Sequence, residues 1–134
     1  MSALAVIALA VFLAITPISP TSHLVRDIRG IRGDVIATSP VLNHMAAARV
    51  GLPNHDGLSD ACPRVIDGHQ VTLCGEIKGW VTIADLDEAV DWVVPAWMTS
   101  LPHHNILHDS YWRWVGVAVR QIGGYTWLVA DFAR

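Results

Sequence analysis

Thirteen consecutive apolar residues, Ala3 to Ile15, stand near the start of the chain, and Met1 to Ser22 holds no Lys, Arg, Asp or Glu. As a helix, that run would span roughly 20 Å, short of the ~30 Å hydrocarbon core of a bilayer. Pro17 and Pro20 then break it within the small-residue stretch Ser19-Pro20-Thr21-Ser22, the pattern of a signal-peptidase region. Residues 1–22 therefore read as a signal peptide or an N-terminal anchor. A basic start is missing, which leaves cleavage, retention and a buried N-terminal helix all open. Next come Arg26, Arg29 and Arg32 at three-residue spacing, with Gly30 and Gly33 among them. Glycine disfavours helix interiors, so residues 23–38 predict a linker or irregular segment.

From Ser39 onward the period is helical. Ser39-Pro40 supplies an N-cap and a proline at the first helical position, and Leu42, Met45, Ala46 and Arg49 follow before Gly51 and Pro53 end the element. A short helix is expected near Asp56 to Ser59, carrying Leu58, Ala61 and Val65. A third begins at Thr82 with Asp85 three residues on, and Ile83, Leu86, Ala89, Val90, Val93 and Trp97 recur along it. Pro95 predicts a kink or a fresh turn. Pro102 to Ser110 reads as a polar loop, after which the period becomes two: Trp114, Gly116 and Ala118 alternate with Val115, Val117 and Val119. Gly123-Gly124 makes a tight connection, and Tyr125 to Phe132 returns as a second strand. With a further strand between Val71 and Trp80, the reading is α+β. It is a three-layer α-β-α sandwich that ends in an antiparallel β-hairpin.

Composition narrows the class. In 134 residues, 52% are hydrophobic, 16% are charged and six are Trp, which excludes disorder. The net charge of −3 gives no basic field for nucleic acid, and membrane contact is expected only through the N-terminal segment. Cys62 and Cys74 are an even pair, which in an exported chain reads as a disulfide, with two buried thiols as the alternative. The spacing is not that of a zinc motif.

Three of the seven His fall at His103, His104 and His108. His104 and His108 would share a helix face, but the Glu of a metalloprotease motif is missing, and surface histidines are commoner. Glu76 sits in a half-buried stretch, where a carboxylate needs a cation or a donor to stay charged. An exposed edge-strand Glu is the plainer reading.

In order along the chain come Leu42-Asn43, Arg49 and Gly51-Leu52-Pro53; Cys74-Gly75-Glu76-Ile77; Trp97, Ser100 and His103; Asn105-Ile106-Leu107; Gly116-Val117-Ala118-Val119; and Tyr125-Thr126-Trp127 with Phe132. Together they resemble the CAP (SCP-like) superfamily of cysteine-rich secretory, antigen 5 and pathogenesis-related proteins. The likeness is to the small bacterial type in compressed form, over residues 39–134. The resemblance implies an α-β-α sandwich and a secreted or cell-envelope location. It also implies a cleft of His and Glu that sometimes holds a divalent metal. By that likeness Glu76 and His103 are cleft residues, and His69, Glu88 and His104 are the candidates for the remaining positions. Glu76 and His103 would be the ligands of a weakly bound Zn²⁺, with no cofactor required.

Three functions follow as expectations. The first is a non-catalytic binding module for a lipid or other apolar small molecule, since several family members bind lipids. The Trp residues could line such a groove, though core packing also accounts for them. The second is a divalent-metal-dependent hydrolase or peptidase at the envelope; Ser100 precedes His103, but no third member of a triad is evident and no catalytic residue is assigned. The third is a degenerate domain kept for contact with a cell-envelope protein.

Overall fold

The computed structural model describes residues 18–134. The apolar run expected as a leader lies in residues 1–17, outside the described residues. Elements follow in the order α1 (Pro20–Arg32), β1 (Ala37–Thr38), α2 (Pro40–Arg49), α3 (Leu58–Ala61), β2 (Val65–Ile66), β3 (His69–Gln70), β4 (Cys74–Val81), α4 (Leu86–Thr99), α5 (Leu101–His108), β5 (Trp114–Ile122) and β6 (Tyr125–Ala133). Four strands form a mixed sheet in the order β1-β5-β6-β4. β1 runs parallel to β5, while β6 pairs antiparallel with both β5 and β4. β2 and β3 form a separate small hairpin.

The period-two pattern decides the layers. Val115, Val117, Leu128, Ala130 and Phe132 join a core with Leu24 and Ile28 of α1, Val90 and Trp97 of α4, and Leu107 of α5. The alternate positions, Trp114, Ala118, Trp127 and Val129, meet Leu42, Met45 and Ala46 of α2 on the other face. The fold is thus α+β, a sheet between two helical layers, ending in the antiparallel β5–β6 hairpin as the alternation predicts. Gly116 permits the closest approach between layers. A Cβ built there would lie 2.1 Å from the Leu42 carbonyl carbon and 2.3 Å from the Asn43 nitrogen. The Val117 N–H donates to Asn43 Oδ1 at 2.9 Å across the same contact.

Four expectations are corrected. Residues 23–32 are helical, not linker: Ser19 caps α1, Leu24 and Ile28 are fully buried, and Gly33 closes the helix at φ 70°. Gly30 meets nothing within 4 Å, so its cost of about 1 kcal/mol is set against the burial of two large side chains. A cut after Ser22 would fall inside this helix and remove its cap. The segment read as a polar loop from Pro102 is α5, held by one buried apolar side chain, Leu107. Helix α4 passes through Pro95 as one element, so no fresh turn begins there, and its N-cap is Asp85 rather than Thr82. Val65 belongs to β2, not to the preceding helix. Cys62 and Cys74 form a disulfide, which ties the end of α3 to the start of β4. Among the described residues no helix is long and apolar enough to cross a membrane.

Candidate functional site

The period of two in β4 sends Glu76 and Lys78 to the α2 face, and both are buried. Arg49 reaches the same place because it continues the inward stripe Leu42, Met45, Ala46 by one more helical step. Its guanidinium grips Glu76 with two nitrogens: Nε donates to Oε2, and Nη2 to Oε1 at 3.0 Å. Lys78 Nζ lies 3.2 Å from Oε1. His55 Nδ1 lies 2.9 Å from the same oxygen, with its ring half exposed.

The loop that carries His55, residues 51–57, has few apolar anchors of its own. Its carbonyls do the positioning. Lys78 donates to Leu52 O at 2.8 Å and Asn54 O at 2.7 Å, and Arg49 donates to Asp56 O at 3.2 Å. Two buried cations thus serve one carboxylate and one loop at once.

Asp131 adds a second acid. It is fully buried on β6, directly opposite Glu76 in the strand pairing. No donor among the described residues reaches either of its oxygens. A bond from Asp131 would need a proton on its own carboxyl, with Glu76 as the acceptor opposite. Burial, that hydrogen bond and the negative charge of Glu76 push Asp131 up to about 9, against the pull of Arg49 and Lys78. Burial raises Glu76 as well, but bonds from Arg49, Asp131 and His55 and the charge of Lys78 outweigh it, so Glu76 falls to about 2. The surroundings therefore favour the charge on Glu76 and the proton on Asp131.

Of the residues expected to form the cleft, Glu76 is at the centre of this network. His103 lines the neighbouring groove at the start of α5, and its pKa is lowered by burial and by the charge of His55. His104 turns away to stack on His108, ring centroids 4.3 Å apart. His69 lies exposed in the β2–β3 hairpin, 6.1 Å from the Trp114 ring. Glu88 is exposed in the first turn of α4, where its N–H is capped by Asp85. His55, Arg49, Lys78 and Asp131 stand in the places these three do not take. A Zn²⁺ on Glu76 would sit against a guanidinium and an ammonium that already neutralise the carboxylate, so the donor set does not fit a divalent cation.

Beside this network a groove of about 400 Å³ runs along the open edge of β4, between β4 and α4. Trp80, Trp92, Val93, Ala96 and Trp97 line it, together with Lys78, Ser100 and His103. Trp80 and Trp92 are 45% and 62% exposed, although large aromatic side chains gain most from burial. Trp97 donates its indole N–H to Lys78 O at 2.9 Å and so fixes the floor.

These features define a three-layer α-β-α domain with a buried carboxylate–cation cluster under one helix and an aromatic groove at the sheet edge. No family profile matches the chain, and no curated protein matches it. Among solved structures it is similar to an outer surface protein from Borrelia burgdorferi, with a TM-score of 0.62 and 16% identity. The match covers 87% of this chain and 96% of that one. At that identity the likeness is one of fold.

Proposed function

We propose that the chain is a secreted or envelope-associated domain of the CAP type that binds the acyl chain of a lipid, or a similar apolar molecule, without catalysis. The observation that carries this reading is the groove beside β4, where two exposed indoles flank an apolar floor. Ser100 and His103, which also line the groove, suit a polar head group, the Lys78 ammonium being already bonded to Glu76 and the loop carbonyls. The fold likeness to an outer surface protein supports the location, and the order of the sequence motifs supports the family.

The reading is tested with a brominated long-chain fatty acid, which quenches indole fluorescence on contact. Saturable quenching is expected in the wild type. It should weaken in Trp92→Ala, which removes one wall, and vanish in Ala96→Trp, which fills the groove. Equal quenching in all three proteins, or none that saturates, would place the ligand elsewhere and sink the proposal.

A further inference from the structure

His23 lies between α1 and α4 with 12% of its side chain exposed, and three carboxylates surround it. Its Nδ1 is 2.9 Å from Asp87 Oδ1, while Nε2 is 3.1 Å from Asp91 Oδ1 and 3.4 Å from Asp27 Oδ2. Asp27 follows His23 by one turn of α1, as Asp91 follows Asp87 on α4. The four groups thus come from two helices that share the core through Leu24, Ile28, Val90 and Val94. One ligand atom each from His23, Asp27 and Asp91 lies within 4.8 Å of the others.

Simpler roles cover only part of this. A first-turn acid such as Asp87 is favoured by the positive end of the helix dipole, but that effect fades within a turn and does not account for Asp91 or Asp27. An imidazolium at His23 has one N–H on each ring nitrogen, enough for one oxygen apiece, whereas two oxygens face Nε2. The division of labour is that of a metal-bound imidazole. One nitrogen donates to a carboxylate that fixes the tautomer, and the other turns its lone pair toward further carboxylates. Ligands held tetrahedrally at the usual zinc distances stand about 3.3 Å apart, and the two Nε2–oxygen separations bracket that figure.

We infer that His23, Asp27 and Asp91 form a binding site for a divalent transition metal of the zinc class. Asp87 orients the imidazole, and water completes the shell. The site is distinct from the Glu76 network, shares no residue with it, and would clamp α1 to α4.

The test is calorimetric titration of the full chain with Zn²⁺, paired with the visible spectrum of the Co²⁺-loaded protein. One equivalent of zinc is expected to be lost, or weakened at least about tenfold, in Asp27→Asn and in Asp91→Asn. Asp87→Asn should bind more weakly while keeping the stoichiometry. Both Asp27 and Asp91 keep part of their surface in water, so these variants should fold, and a circular-dichroism melt without metal checks that. Ligand-field bands of tetrahedral Co²⁺ should appear in the wild type and disappear in His23→Gln. No isotherm at millimolar zinc would overturn the proposal. So would binding that survives in Asp27→Asn and Asp91→Asn but is lost in the double variant His103→Ala, His104→Ala.

Discussion

Glu76 and Asp131 face each other across two paired strands, and two predictions follow from which of them is favoured to carry a proton. Glu76→Gln leaves Arg49 and Lys78 buried without their counter-charge. Removing one partner from a buried ion pair costs about 3–5 kcal/mol, so the urea midpoint should drop by an amount of that order. Acidity acts on the two residues in opposite senses. Glu76 is held at about 2, below its ordinary 4.5, so its contribution is complete above 4.5 and is lost as pH falls from there toward 2. Asp131 is raised from 3.8 to about 9, so its contribution is complete below 3.8 and is lost as pH rises from there toward 9. Asp131→Asn keeps a donor to Glu76 but no longer titrates. Its melting temperature should therefore gain on the wild type steadily between pH 5 and pH 9; parallel curves would put the proton elsewhere.

At this scale the sequence was half legible. A lone Asp inside an apolar strand, and an Arg on the inward stripe of a helix, were both signals of a buried ion network, as was the Glu-x-Lys spacing. His55 carried no signal, because its position is set by carbonyls bonding to cations that are distant in sequence.

Between elements, the tightest constraint is α2 against β5. At Gly116 an added methyl would strike backbone atoms of Leu42 and Asn43, which cannot rotate aside. Gly116→Ala should cost about 1–3 kcal/mol as α2 lifts and the Asn43 bond to Val117 stretches; equilibrium unfolding reads the loss directly. The alternation that places Gly116 was plain in the sequence, and so was the hairpin, since a period of two persists over many residues. Helix α1 was not, because two glycines outweighed a short stripe of Leu24, Val25 and Ile28 when judged locally. What decides α1 is the apolar surface of α4 and the sheet, which local spacing does not contain. Helix α5 hid for a similar reason: one buried leucine is too little to show a period.

For the molecule as a whole, the disulfide fastens a region poor in regular structure, α3 and the β2–β3 hairpin, to the main sheet. Its cysteines are 12 residues apart, and closing so short a loop contributes about 3 kcal/mol in the chain-entropy model. Reduction, or Cys62→Ser with Cys74→Ser, should lower the global unfolding free energy by about that much. The layers of the sandwich should persist, with unchanged far-ultraviolet dichroism below the new transition.

One feature of the sheet bears on time rather than on stability. The strand laid down last among the described elements, β6, is the one in the middle: β4 has no other partner in the sheet, and β5 has only two-residue β1 besides. Until residues 125–133 have been added, β4 has no partner in the sheet and β5 has only β1, so the sheet cannot be completed before them. The order of the strands thus makes β6 the element on which closure of the sheet depends.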